Sequence, residues 1–163
     1  MGPIKINNLL FGTPGIPLST LPKDTLNGIK QVKKLGLDAM EMEFVYEVHG
    51  NEEKAPEVRV MAKKNDVVLT CHGQYFVNLA SLERAKIDAS MKRMLDAARR
   101  VHECGGWSVT WHAAFFQGRP RDQVYKIVKE NFGKVVKTLR DEGINDVWLR
   151  PETTGRETQW GDL

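Results

Sequence analysis

Long apolar runs are missing from this sequence. No stretch approaches the roughly 20 consecutive apolar residues that a membrane-spanning helix needs, so a helical membrane span is excluded. The opening residues Met1-Gly2-Pro3-Ile4-Lys5 lack the extended apolar core of a secretory signal. Cysteine is scarce. Cys71 and Cys104 are the only two, and they form no CxxC pair. A reduced, cytoplasmic setting is the expectation. No linker, low-complexity tract or short-period repeat interrupts residues 1–163, which read as one domain or part of one. Neither charge sign dominates. The 24 Lys and Arg against 21 Asp and Glu leave a net charge of +3, which permits nucleic-acid binding without demonstrating it.

A core is affordable within these limits. The chain has 163 residues, 41% hydrophobic and 28% charged, a balance that suits a soluble globular domain rather than a disordered one. Three short apolar runs each lead to a metal-type ligand: Val67-Val68-Leu69-Thr70-Cys71-His72, Trp107-Ser108-Val109-Thr110-Trp111-His112 and Val147-Trp148-Leu149-Arg150-Pro151-Glu152. Each reads as a buried parallel strand. In α/β barrels the C-terminal strand edge is where chemistry is built. Two imidazoles and a carboxylate on one edge make a Zn²⁺ or Mn²⁺ shell, rather than a Ca²⁺ one. Cys71 should face away from His72, because strand side chains alternate, and is excluded as a ligand.

Between the strands the apolar period changes to that of helices. A first strand is expected over Ile6 to Phe11, ending in the turn-forming cluster Gly12-Thr13-Pro14-Gly15. The following helix has N-caps available in Ser19, Thr20 and Asp24. It runs to about Leu35, with Leu26, Ile29, Val32 and Leu35 inward and Gly36 suited to a left-handed cap. Asp38 to Phe44 reads as the second strand, alternating Met40 and Met42 with Glu41 and Glu43. Asn51 to Asn65 is a second helix with Pro56 in its first turn. Ser81 is expected to cap a third, apolar at Ile87, Met91, Met94, Leu95, Ala98 and Val101, closed by Gly105-Gly106. A fourth spans about Asp122 to Glu142, with Val124, Ile127, Val128, Val135, Val136 and Leu139 on one stripe and Gly143 after it. Strict alternation predicts a parallel sheet with right-handed crossovers. A closed (β/α)₈ barrel takes about 250 residues, so the chain reads as the N-terminal five-strand portion of such a barrel or as a smaller α/β fold.

Other residues are weaker candidates. Glu43, at a strand end, is expected to orient a ligand imidazole. Tyr75 and Phe76 follow His72 and, if exposed, would stack on or wedge beside a base. His49 reads as a loop residue, His102 as a helix end and Cys104 as a buried small hydrophobe.

At these residues the sequence resembles a known family. The segments His72-Gly73-Gln74-Tyr75-Phe76-Val77-Asn78-Leu79, His112-Ala113-Ala114-Phe115-Phe116 and Arg150-Pro151-Glu152-Thr153-Thr154-Gly155 are similar to three consecutive signatures of the endonuclease IV family. These are metal-dependent apurinic/apyrimidinic endonucleases on a xylose-isomerase-like TIM barrel. Phe11-Gly12-Thr13-Pro14-Gly15-Ile16-Pro17 and Leu37-Asp38-Ala39-Met40-Glu41-Met42-Glu43-Phe44-Val45 resemble archaeal-type members. The resemblance implies that His72 and His112 bind one zinc and that Glu152, placed in the catalytic centre, bridges it to a second. It implies that Tyr75 lies near damaged, abasic double-stranded DNA, cut on the 5′ side of the lesion in base excision repair. The family holds three zinc ions. It takes further ligands from later strands, and no His follows Glu152 here, so one partial site is expected. The second signature, usually His-Pro-Gly, reads His112-Ala113-Ala114.

Two other readings use the same residues. A sugar isomerase or epimerase on the same barrel also uses strand-end carboxylates and histidines. A half-barrel could instead bind metal or DNA without catalysis. An open five-stranded sheet would leave its first and last strands unpaired and an apolar inner face uncovered, so self-association as a two-fold dimer is expected.

Overall fold

The computed structural model describes residues 6–45 and 54–162. Alternation of strand and helix holds throughout: β1 (Gly12–Pro14), α1 (Thr25–Lys34), β2 (Ala39–Glu43), α2 (Ala55–Asn65), β3 (Val68–His72), α3 (Arg84–Glu103), β4 (Ser108–Trp111), α4 (Arg121–Asp141) and β5 (Trp148–Pro151). The strands form one sheet in sequence order, every pair parallel, with β1 and β5 at its edges. This is the (β/α) succession of a TIM barrel, seen as a five-stranded portion. Among the described residues no helix is long and apolar enough to cross a membrane.

Each strand presents two different faces. Met40, Met42, Leu69, Cys71, Val109 and Trp111 point outward beneath the helices and are at most 7% exposed. They meet Ile29 and Val32 of α1, Ala62 of α2, Met94, Ala98 and Val101 of α3 and Val128 and Val135 of α4. Burying such side chains removes apolar area from water at about 25 cal/mol per Å², and this layer supplies most of the cohesion. The alternate positions face inward: Glu41 and Glu43 on β2, Thr70 and His72 on β3, Ser108 and Thr110 on β4, and Trp148 and Arg150 on β5. That face is largely polar, which corrects the expectation of an apolar inner face. The strands carry their apolar residues on the helix side, where the core already covers them.

Three other expectations change. The first strand lies at Gly12–Pro14, not at Ile6 to Phe11. Leu9 and Phe11 stay exposed, and the ladder begins where the Phe11 carbonyl accepts from Asp38 N and Ala39 N. Glycine is needed at position 12, since a Cβ there would sit 2.3 Å from Ala39 O. Leu35 is half exposed at the C-cap of α1 rather than inward. Ser81 does not cap α3. Its Oγ accepts from Glu83 N at 3.2 Å in a turn before the helix, and Glu83 is the N-cap residue. Asp24, by contrast, caps α1 through Asn27 N at 2.8 Å. Pro56 stands in the first turn of α2, where its missing N–H costs nothing. His49 and residues 51–53 lie outside the described residues.

The two leucines give a direct check on this packing. Leu69→Ala, at a fully buried position, should cost about 2–5 kcal/mol in urea denaturation. Leu35→Ala should stay within about 0.5 kcal/mol of the parent. Comparable losses at both positions would contradict the assigned faces.

Candidate metal centre

Parallel pairing sets the level of each donor. His72, the last residue of β3, is in register with Thr110, which is in register with Arg150. His112 and Glu152 follow the ends of β4 and β5, one pleat further along the same inner face. Side chains two residues apart on a strand share a face, so all three donors are directed to one side of the sheet. They converge. Glu152 Oε2 lies 3.3 Å from His72 Nε2 and 3.7 Å from His112 Nε2. The three donor atoms all lie within 4.8 Å of one another.

The hydrogen bonds around the donors leave lone pairs free toward this point. His72 Nδ1 is 2.8 Å from the Gly73 carbonyl oxygen. A carbonyl can only accept, so Nδ1 carries a proton, and the Nε2 of a neutral ring would keep its lone pair for a cation shared with Glu152. Glu152 Oε2 is buried and has no hydrogen-bond partner among the described residues, nor has His112 Nδ1. An orphaned buried carboxylate oxygen between two imidazoles is costly unless a cation completes it. Adjacent ligands on a tetrahedral ion with bonds of about 2.0–2.2 Å stand about 3.3 Å apart, close to the separations found here. This donor set fits a divalent ion such as Zn²⁺.

Cys71 takes no part. It is buried on the helix side, and burial pushes its thiol well above the ordinary range. Glu43 does not orient His72; that acceptor is the Gly73 carbonyl. No hydrogen bond joins Glu43 to either imidazole among the described residues, and its carboxylate lies instead beside Gly15. Tyr75 is half exposed, with its ring edge-on to His72 at 5.5 Å between centroids. Phe76 beside it is 60% exposed. His102 lies in the last turn of α3 and pairs with Asp146 at 2.6 Å, away from the cluster. Cys104 is buried in the core.

Three contributors escaped the sequence reading. Gly73 lets the loop turn tightly after His72, since a Cβ there would fall 1.7 Å from Trp111 Nε1. Asn78 ties this loop to the one after His112. Glu41 lies on the inner wall, where desolvation first, and then the charges of Glu152 and Glu43, raise its carboxyl above the ordinary range against the opposing pull of His72 and Arg150. The signals were present. Gly73 and Asn78 fall within the motif after His72, and Glu41 is the inward partner of Glu43 in the Met/Glu alternation.

Glu41 yields a signed pH test. With the folded value above the unfolded one, the native state holds the proton more tightly, and stability falls as pH rises from about 4.3 through the raised value. In metal-free protein, Glu41→Gln should therefore raise the melting temperature at pH 7. It should leave the melting temperature nearly unchanged at pH 3.5. A variant less stable than the parent at pH 7 would show that Glu41 is held as a charged partner.

The family model for xylose isomerase-like TIM barrels matches residues 29–161. An uncharacterised protein of Methanocaldococcus jannaschii is 32% identical over 155 residues, covering 95% of this chain and 55% of its own length. Among solved structures, D-psicose 3-epimerase crystallised with D-fructose superposes with a TM-score of 0.71 at 19% identity, over 92% of this chain and 54% of that one. Endonuclease IV from Thermus thermophilus superposes at 0.69 and 19% identity, over 94% and 55%. At such identities the structures establish the fold alone, and the chain spans about half the length of the relatives it matches. The parallel ladder, the helix-covered outer layer and the family match together place this chain in the xylose isomerase-like TIM barrel family.

Proposed function

We propose that this chain carries the first metal site of an endonuclease IV-type enzyme, a metal-dependent hydrolase that cuts DNA 5′ to abasic sites. The observation that carries the reading is the convergence of His72, His112 and Glu152 within 4.8 Å on an open strand edge. Bound by these donors, Zn²⁺ or Mn²⁺ would act as a Lewis acid on a phosphoryl oxygen. His72 contributes a lone pair held in one tautomer by Gly73, and Glu152 contributes the anionic oxygen between the two imidazoles. Tyr75 stands half exposed with its ring edge-on to His72, and Phe76 is exposed on the same loop, flat surfaces on which an unstacked base could rest.

An epimerase of the same barrel is the second reading, since several structures of like fold are epimerases, among them D-psicose 3-epimerase crystallised with D-fructose. A small-molecule site usually encloses most of its ligand. Exposed aromatic rings next to the donors suit a polymer lying across the edge better than an enclosed sugar.

Zinc titration of the purified chain, with binding to abasic and intact duplexes, tests the assignment. One zinc per chain is expected, and His72→Ala or His112→Ala should each weaken it at least tenfold, about 1.4 kcal/mol. Zinc should strengthen binding to the abasic duplex over the intact one, and Tyr75→Ala should narrow that preference. Incision by this chain alone should be slight, because the described residues bring together a single donor cluster, whereas two-metal phosphoryl transfer clamps both the attacking and the leaving oxygen. Indifference to the lesion, together with turnover of a ketohexose, would favour the epimerase.

A further inference from the structure

The donors sit where three loops begin, and those loops are bonded to one another. Leu79 N donates to Ala113 O at 2.9 Å, which joins the loop after β3 to the loop after β4. Trp160 N donates to Ala114 O and Phe116 N to Thr158 O, each at 3.0 Å, which joins the loop after β4 to the segment after β5. Most of these links are backbone to backbone. Asn78 provides a side-chain link. Its Oδ1 accepts from Ala80 N at 3.1 Å in its own loop and from Phe115 N at 3.4 Å in the next. Its Nδ2 reaches Gln117 Oε1 at 3.5 Å. Its backbone N donates to Ser90 Oγ at 2.9 Å, and that buried hydroxyl donates to Lys86 O at 2.6 Å, which anchors the residue to α3.

We propose that Asn78 is a positioning residue for the metal donors, setting the separation of His72 from His112 without touching either. The inference rests on the metal-site reading above. Asn78 lies six residues after His72, and Phe115 lies three after His112, so the Oδ1 bond closes a short circuit between the two donor-bearing loops. The amide suits the position because one oxygen, at the end of a short stiff side chain, serves N–H groups on two loops. A serine there could keep the local bond to Ala80 N, as hydroxyls do in turns, but is too short to span to Phe115. Aspartate keeps both acceptor bonds and loses only the long contact to Gln117. Groups that orient metal ligands from behind typically change affinity 10–100-fold when removed.

The test uses the full chain and its Asn78→Ser, Asn78→Asp and Ser90→Ala variants. Zinc affinity is read by competition with a chromophoric chelator. The visible spectrum of bound Co²⁺ reports donor geometry, and melting of metal-free protein reports stability. Asn78→Ser should weaken zinc about tenfold or more and change the Co²⁺ band intensities, while Asn78→Asp restores both. Ser90→Ala, which frees the Asn78 backbone from α3, should shift the spectrum in the same direction by less, and it decides the matter if Asn78→Ser fails to fold. A parent chain that binds no zinc would overturn the metal-site reading and this inference with it. A parent that binds zinc, beside an Asn78→Ser variant with lower melting temperature but unaltered affinity and Co²⁺ spectrum, would overturn the positioning role alone.

Discussion

Everything at this site depends on the register of a parallel ladder. Parallel strands joined through helices all run the same way, so their C-terminal ends arrive at one edge, and residues in register lie at one level. His72, Thr110 and Arg150 are such a row, and His112 and Glu152 form the next. A slip of one residue in β4 would turn His112 toward the helices and bring Trp111 to the inner face. The buried indole of Trp111 opposes that slip. It is 1% exposed and packs so closely on Gly73 that no side chain fits between them. The packing that stabilises the outer layer thereby also sets the aim of the donors.

The division between faces explains how one sheet combines stability with polar chemistry. The helix-facing positions bury aliphatic side chains and Trp111, while the inner positions hold carboxylates, hydroxyls and imidazoles. Burial on that inner wall, and after it the neighbouring charges of Glu152 and Glu43, raise the carboxyl of Glu41. The positive charge of Arg150, stacked on Trp107 at 5.2 Å, and a cation among the donors would each offset this crowding.

The segment after β5 completes the site from the other side. The Arg121 guanidinium grips Asp162 through two bonds of 2.5 Å and lies over Phe116. Thr154 Oγ1 bonds Gln159 Oε1 in a buried contact, and Trp160 stacks on Tyr125. Glu152 is thus held on a segment fastened to the same loop that follows His112, which links the carboxylate mechanically to the second imidazole.

Much of this was legible in residue order. Helical periods, the Met/Glu alternation of β2 and the imidazole or carboxylate at the end of each of three apolar runs are local patterns, dictated by side chains a few positions apart. They were enough to place α1 to α4 and a parallel sheet, and to set His72, His112 and Glu152 at one strand edge. The strand at position 12 escapes local patterns because pairing with Ala39 is a property of the partner strand, and Gly-Thr-Pro has no strand signature of its own. The apolar stripe of α1 continues to Leu35, past the point where the helix meets the core, so its period alone does not show that Leu35 is half exposed. The raised Glu41 and the bond that Asn78 Oδ1 accepts from Phe115 N belong to the tertiary structure alone. Each arises between atoms far apart in sequence, or from removal of water that only packing accomplishes. Neighbouring side chains set which elements form and which polar groups end the strands; packing between distant segments sets which of those groups meet.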